Sequence, residues 1–184
     1  MKVYTTDPPT PDRIKVGVAE YAAADGEATL VTSGLGSCVG IALVDANAEV
    51  TGLAHAMLPA ADGRAAESAA DGTDAGTAAT DGGDRRGKYV DTAVPALVDA
   101  MVERGADRAR IEARLAGGSA MFDFSTDDGG VGERNVAAAE ATLDEHGIPV
   151  VATDVGGDCG RSLTLESPSG SLSVRRAHGD TKTI

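Results

Sequence analysis

The sequence predicts a mixed α/β domain in which at least some strands pair antiparallel. Short apolar runs rich in β-branched residues recur along the chain, whereas only two segments show the spacing of an amphipathic helix. Turn sequences at Asp45-Ala46-Asn47-Ala48 and Ser167-Pro168-Ser169-Gly170 each separate two apolar runs and predict two β-hairpins. Because hairpins join antiparallel strands, the chain does not fit a fold of purely alternating strands and helices.

The first part of the chain supplies mainly strands. Residues 1–13 contain three prolines and are expected to be irregular. Apolar residues then alternate with small or polar ones, or form short continuous runs. Strands are predicted in this part at Ile14–Val18, 28–32, 39–44 and 50–57.

The segment 60–87 interrupts this pattern. It is rich in alanine, aspartate and glycine and poor in large apolar residues, so it buries too little surface to offset the entropy of ordering it. We therefore predict a flexible acidic insertion that borders the region of His55. A solvated insertion is favoured over a role in substrate recognition.

The remainder of the chain combines two helices with further strands. Asp91 is placed to cap a helix that runs to about Arg104, with Pro95 in its first turn and Gly105 at its end. A second helix is predicted over 133–145. Strands are predicted at 110–115, 148–153, 163–165 and 172–174.

Composition limits the classes of partner. The chain has 184 residues, enough for one domain over 1–184 with a real core. Its 29 acidic residues outnumber 16 basic ones, and the net charge of −13 disfavours nonspecific binding to nucleic acid or to anionic membranes. Acidic residues are mostly aspartate and lysine is scarce, a pattern typical of salt-adapted, halophilic proteins.

The chain is expected to be cytoplasmic. The N-terminus lacks the apolar stretch of a secretory signal, and no run reaches the ~20 apolar residues that cross a bilayer, so no membrane insertion is expected. A reducing cytosol argues against a structural disulfide between Cys38 and Cys159. Cys159 follows two glycines and is interpreted as an incidental loop thiol.

Cys38 and His55 are the residues that suggest chemistry. A hairpin turn centred on Ala46 and Asn47 places Cys38 directly opposite His55, with Cβ atoms about 5 Å apart. A free thiol has a pKa near 8.5, and a neighbouring imidazole takes up its proton and stabilises the thiolate. A single buried cysteine is more often a small apolar core residue, and a single buried histidine is more often a hydrogen-bonded core residue. The hypothesis of a catalytic pair therefore depends on the two residues lying opposite each other.

The loop before Cys38 adds to that hypothesis. Glycines let a backbone approach a substrate closely, so amide groups at Gly36 and Ser37 are candidates to stabilise an oxyanion. Thr32 is a candidate to orient the imidazole through its hydroxyl. No C-x-x-C or H-x-x-x-H pair accompanies these residues, and we predict neither a metal site nor a cofactor.

These residues also resemble a known family. Thr32, Gly34-Leu35-Gly36-Ser37-Cys38-Val39-Gly40 and Gly52-Leu53-Ala54-His55-Ala56-Met57-Leu58-Pro59 resemble the CheD family of chemoreceptor glutamine deamidases. The resemblance covers nearly the whole chain. It continues in order through Lys88-Tyr89, Asp91, Gly117-Gly118, Met121-Phe122, Gly132-Glu133-Arg134-Asn135, Gly147-Ile148-Pro149-Val150-Val151, Asp154-Val155-Gly156-Gly157 and Gly160-Arg161.

The resemblance implies a reaction, a fold and partners. It implies that the protein hydrolyses glutamine side chains of chemotaxis receptors to glutamate and ammonia through a cysteine thioester, with Cys38 as nucleophile, His55 as base and Thr32 as its orienting partner. It also implies a β-sandwich-like core with helices packed outside, as in glutamine-deamidating toxins. The glycines at 117–118 and 156–157 either approach the cysteine or serve as simple turns, and their spacing does not decide.

Two alternative functions remain open from the sequence. One is a methylesterase that cleaves receptor glutamyl esters through the same thioester. The other is a regulatory binding module that engages a chemotaxis phosphatase of the CheC type.

Overall fold

The computed structural model describes residues 12–61, 85–120 and 130–184, in which ten strands form two five-stranded sheets with two α-helices. The strands are β1 (Asp12–Lys15), β2 (Tyr21–Asp25), β3 (Ala28–Leu35), β4 (Val39–Asp45), β5 (Val50–Ala56), β6 (Glu112–Gly117), β7 (Val150–Val155), β8 (Arg161–Ser167), β9 (Ser171–Arg176) and β10 (Thr181–Thr183). The helices are α1 (Val90–Val102) and α2 (Val131–Glu145).

Both sheets mix parallel and antiparallel pairing. The first has the order β1-β3-β8-β9-β10 and the second β2-β5-β4-β6-β7. β1 pairs parallel to β3 and β6 parallel to β7, while the other neighbours are antiparallel. The predicted mixed α/β class and both predicted hairpins, β4–β5 and β8–β9, are therefore confirmed.

The second sheet lies between the first sheet and the helices. On β4, Val39, Ile41 and Leu43 join a cluster with residues of α1 and α2, whereas Ala42 and Val44 join a cluster with the first sheet. A strand buried on both faces needs a continuous apolar run, which explains why 39–44 does not alternate. The result is a sandwich of two sheets with both helices on one outer side.

The register of the first hairpin differs from our prediction. Gly40, not Cys38, lies opposite His55, and the turn occupies 46–49 instead of 45–48. The Asp45 carboxylate accepts the amides of Asn47 and Ala48, and Glu49 adopts a left-handed φ of 57°. Asp45 therefore still pairs in the ladder, and the partner strand shifts by two positions, which leaves every side chain on its expected face.

The start of α1 also differs from the prediction. The N-cap residue is Tyr89, without a side-chain cap, and Asp91 lies in the first turn, where its carboxylate accepts the amide of Ala61. The helix begins earlier and ends at Val102, so Pro95 is its sixth residue and the prediction that it lies in the first turn is wrong. The expected buried face with Val94, Val98 and Met101 is confirmed.

Other helix and strand boundaries differ from the prediction by a few residues. α2 starts at Val131, and the strand expected at 148–153 is β7, Val150–Val155. Sequence reasoning missed β2 and β10, which lack a distinctive apolar pattern. Most of the expected insertion lies outside the described residues, so the flexible insertion at 60–87 and the single domain over 1–184 stay predictions.

Candidate active site

Thr32 and His55 meet between the two sheets. His55 lies on β5 and faces the first sheet together with Leu53, and Thr32 lies on β3 of that sheet. Thr32 Oγ1 is 2.8 Å from His55 Nδ1, and the residues are 4% and 0% exposed. The His55 amide donates to Glu20 O and the His55 carbonyl accepts from Ala19 N, each at 2.9 Å, which holds the backbone that carries the imidazole.

The second imidazole nitrogen has no hydrogen-bond partner. His55 Nε2 is buried, and no group in the described part of the chain bonds to it. Burial lowers the pKa of His55 from 6.5 to about 4, because the charged imidazolium loses its hydration. The histidine is therefore a neutral base at pH 7. Six other buried side-chain atoms of the described residues also lack a partner, so the position of this nitrogen on the ring that contacts Thr32, rather than its being unpaired, suggests a functional role.

Cys38 lies on the same side of the second sheet as His55. It precedes β4 by one residue and packs against the cluster between the sheets, and it is only partly buried. In the observed register the two residues are diagonal neighbours, for which Cα atoms lie about 7–8 Å apart. Burial raises the pKa of the Cys38 thiol, and a hydrogen bond from its own amide offsets this only in part. The resting site thus holds a neutral thiol and a neutral imidazole.

Gly40 makes room for this arrangement. It stands directly opposite His55 in the ladder, and a Cβ at this position would overlap Leu163 Cδ1 of the first sheet. The absence of a side chain at Gly40 lets the two sheets approach where the imidazole is buried.

Three consecutive carbonyl groups of the loop that contains Cys38 accept hydrogen bonds from the segment after β6 and from α2. Gly36 O accepts from Ser119 N, Ser37 O from Asn135 Nδ2, and Cys38 O from Gly118 N, each at 2.8 Å. Gly117, with φ of 108°, passes so close that a Cβ there would overlap Cys38 O. The segment 117–119 thus packs directly against the cysteine, and Gly156 N in turn bonds to Gly117 O.

The amide groups of the same loop differ in their availability. Gly36 N donates to Gly34 O at 3.0 Å, so this candidate oxyanion donor is already used. Among the described residues, no backbone carbonyl accepts a hydrogen bond from Ser37 N or Cys38 N, and the Cys38 amide faces its own sulfur. The structure therefore leaves the Ser37 amide available and adds the Cys38 amide, which the sequence interpretation had not named.

Asn135 belongs to a segment that carries the family resemblance, but sequence reasoning assigned it no role in the site. It lies on α2, is fully buried, and donates both Nδ2 hydrogens, to Ser37 O at 2.8 Å and to Met57 O at 2.9 Å. One signal was present, since Asn135 falls on the inward stripe of α2 with Gly132, Ala139 and Thr142. An amide on such a stripe needs buried partners, but the sequence does not say which ones.

Cys159, the second cysteine, takes part in none of these hydrogen bonds. Cys159 is free and buried, and its carbonyl accepts from Arg161 NH1. In the described ranges, no group of three or more histidine, cysteine or acidic side chains is arranged to hold a metal ion. The chemistry that the arrangement can perform is attack by a thiol whose proton passes to a neutral imidazole, beside the amide groups of Ser37 and Cys38.

Comparisons with known proteins agree on one family. A family model described as CheD chemotactic sensory transduction matches residues 73–176. The chain is 46% identical over 190 residues to a protein of Haloarcula marismortui named "Probable chemoreceptor glutamine deamidase CheD", with all of both chains covered. A protein of the same name from Natronomonas pharaonis is 40% identical over 95% of each chain.

A bacterial relative shows similar agreement. The protein of Bacillus subtilis named "Chemoreceptor glutamine deamidase CheD" is 40% identical over 93% of this chain and 95% of its own length. The two archaeal relatives come from halophiles, in line with the acidic composition. Neither α1 nor α2, the helices of the described ranges, is long and apolar enough to cross a membrane.

Proposed function

The chain belongs to the CheD family, and on that premise we propose that it is a chemoreceptor glutamine deamidase that acts through a Cys38 thioester. The substrates would be methyl-accepting chemotaxis receptors, whose glutamine amides are converted to glutamate and ammonia. The names of its full-length relatives support the substrate class. The observation that carries the mechanism is the buried Thr32–His55 pair, with His55 Nε2 unpaired on the same side of the sheet as the partly buried Cys38.

The first half-reaction releases ammonia. Cys38 Sγ attacks the carboxamide carbon while its proton moves to His55 Nε2, and the carbonyl oxygen becomes an oxyanion near the Ser37 and Cys38 amides. His55 then gives its proton to the departing nitrogen. The C–N bond breaks, ammonia leaves, and the glutamyl group remains on sulfur as a thioester.

The second half-reaction restores the thiol. A water molecule loses a proton to His55 Nε2 as its oxygen attacks the thioester carbon, and a second oxyanion forms. The C–S bond then breaks, the sulfur recovers the proton from His55, and the product is a glutamate side chain.

Thr32 sets the tautomer that both steps need. For Nε2 to accept a proton, the hydrogen of the neutral ring must be on Nδ1, where it is donated to Thr32 Oγ1. Because burial keeps His55 neutral and Cys38 protonated, proton transfer accompanies attack instead of preceding it. The site thus differs from one that stores a thiolate–imidazolium pair.

The decisive experiment compares two cysteine variants. A cognate receptor signalling domain is incubated in high salt with wild-type protein, Cys38→Ala or Cys159→Ala, and its glutamines are analysed by mass spectrometry. Wild-type protein and Cys159→Ala should replace amide NH₂ by OH at the same glutamines, and Cys38→Ala should replace none. Deamidation by Cys38→Ala would refute the thioester route, and an inactive wild-type protein would refute the function.

The alternative functions need separate tests. A receptor with methylated glutamates, included in the same assay, would lose methyl groups if methylesterase activity accompanies deamidation. Binding to a CheC-type phosphatase and a cytoplasmic location stay predictions.

A further inference from the structure

Asn135 fixes the orientation of the peptide group that contains the Cys38 amide. The carbonyl of this group belongs to Ser37 and its N–H to Cys38. In a planar trans peptide the C=O and N–H bonds point in opposite directions. The hydrogen bond from Asn135 Nδ2 to Ser37 O therefore turns the Cys38 N–H away from α2.

The preceding peptide group follows the same rule. Ser119 N holds Gly36 O at 2.8 Å, which turns the Ser37 N–H away from the segment 117–119. Both amides, neither of which donates to a backbone carbonyl of the described residues, are thus oriented by hydrogen bonds to the carbonyl of their own peptide group. Of the two donors, only Asn135 is a side chain, so only its contribution can be removed by substitution.

A second contact connects Asn135 to the histidine strand. The other Nδ2 hydrogen goes to Met57 O, two residues after His55. One primary amide thus joins the loop of the nucleophile to the strand of the base, and a hydroxyl, with a single hydrogen, cannot make both bonds. Asn135 is fully buried, so neither bond competes with solvent.

We infer that Asn135 is a positioning residue, which holds the Ser37 carbonyl so that the Cys38 amide points at the developing oxyanion of the acyl-transfer step. The inference rests on the proposed function for its biological substrate, and the acyl transfer itself can be measured without a receptor. A hydrogen bond to the carbonyl also polarises the peptide group and strengthens its N–H as a donor. Loss of one oxyanion donor typically lowers the rate by about 10²- to 10³-fold.

The test compares two reactions of the same sulfur. Acylation of Cys38 by p-nitrophenyl acetate passes through a tetrahedral oxyanion, whereas alkylation by iodoacetamide displaces iodide at carbon and forms none. Both rates are measured in the Cys159→Ala background, so that Cys38 is the only thiol. Thr142→Ala is the matched control, because Thr142 is also a buried polar residue of α2 but lies about two turns away from Asn135.

We expect Asn135→Ala to lower acylation by about 10²- to 10³-fold and to leave alkylation at the rate of the background protein. Thr142→Ala should change neither rate. Equal losses in both reactions would show that Asn135 supports the thiol or the fold in general, and unchanged acylation would show that it does not position the amide. Either result overturns the inference.

Two further measurements distinguish the role of Asn135 from a folding defect and from failure of the proposed function. If Asn135→Ala does not fold by circular dichroism, Asn135→Ser, which retains a polar side chain but cannot make both bonds, is tested in the same way. Receptor deamidation is then measured for wild-type protein and the folded Asn135 variant. A wild-type protein that is acylated by p-nitrophenyl acetate but does not deamidate receptors would refute the proposed function and leave the role of Asn135 decided by the acylation data.

Discussion

Gly40 on β4 is the ladder partner of His55 on β5, so the buried imidazole faces a residue without a side chain. Leu163 of the first sheet fills the space that a Cβ at Gly40 would need. The close approach of the two sheets at this point is what brings Thr32 of one sheet to the imidazole of the other. Packing between the sheets and geometry of the candidate site are therefore linked through Gly40.

Gly40→Ala should destabilise the protein by about 1–3 kcal/mol, since the added methyl group forces Leu163 or the sheets to move. Deamidation should fall with it, because separation of the sheets lengthens the Thr32–His55 hydrogen bond. Urea unfolding measures the first effect, with Gly17→Ala as control. The atoms nearest to a Cβ at Gly17 belong to the flexible, exposed carboxylate of Glu20, which accepts the Gly17 amide, so this variant should lose at most about 1 kcal/mol. Equal effects of the two substitutions would contradict the role given to Gly40.

Local sequence patterns predicted most of the fold because they report burial directly. Ile111, Ala113 and Leu115 alternate and share one cluster, as expected for the strand predicted at 110–115, although β6 itself begins at Glu112. The register of the β4–β5 hairpin was not predictable, because it depends on Glu49 taking a left-handed φ, which glycine or asparagine adopts more readily. β2 was missed because its small residues give little periodic signal.

The candidate site was predictable only in part, for a similar reason. Cys38 directly precedes β4 and His55 lies on the adjacent strand β5, so a local hairpin was enough to associate them. Thr32 comes from the other sheet and Asn135 from a helix about a hundred residues along the chain, and such contacts depend on how the layers pack. The sequence offered Thr32 as a candidate whose position the register could not fix, and the resemblance to a family implied the same role, whereas the two buried hydrogen bonds of Asn135 became visible only in the structure.

Thr32→Val should lower kcat for deamidation, because the replacement keeps the shape of the side chain but removes the acceptor for His55 Nδ1–H. We expect a loss of at least about tenfold, a part of the ~10²- to 10⁴-fold that general acid–base catalysis contributes. Thr32→Ser keeps the hydroxyl and should retain most of the activity. Steady-state kinetics on a receptor domain separates kcat from KM. Equal activity of the valine and serine variants would show that the hydroxyl does not orient the imidazole.

Acidification between pH 6.5 and 4 should destabilise the fold through His55. In the unfolded chain His55 binds a proton below about its ordinary pKa of 6.5, whereas in the folded protein burial lowers that pKa to about 4. The unfolded state therefore binds more protons in this interval, and stability that is complete above pH 6.5 is lost as the pH falls towards 4. The difference corresponds to about 3 kcal/mol.

Urea unfolding at pH 7 and pH 4.5 measures this effect in wild-type protein and in His55→Gln. Burial raises the pKa values of Asp45 and Asp154, but hydrogen bonds from guanidinium groups, and for Asp45 also from backbone amides, lower both below 3.8, so these carboxyls affect stability mainly at lower pH. The variant should lose clearly less stability on acidification than wild-type protein. The same loss in both proteins would mean that His55 is not the group responsible.

Asp154→Asn should cost about 3–5 kcal/mol, because it leaves the buried guanidinium of Arg161 without its carboxylate. Asp154 Oδ1 lies 2.7 Å from Arg161 Nε and Oδ2 lies 2.7 Å from Arg176 NH2, which joins β7 of one sheet to β8 and β9 of the other. Asp99→Asn is the matched control, since the Asp99–Arg108 pair is more than half exposed and should contribute at most about 1 kcal/mol. Unfolding free energies of similar size for the two variants would contradict a structural role for the buried pair.

Salt should stabilise the protein in proportion to the repulsion among its carboxylates. At about 0.1 M salt, charges interact over about 10 Å, whereas at about 1 M this distance falls to about 3 Å, so a net charge of −13 is largely screened. The melting temperature should therefore rise with KCl concentration.

Glu140 and Asp144 lie four residues apart on the exposed face of α2, and they repel each other near the negative end of the helix dipole. Glu140→Gln/Asp144→Asn should raise the melting temperature in low salt more than in high salt, and an equal change at both concentrations would refute the electrostatic explanation.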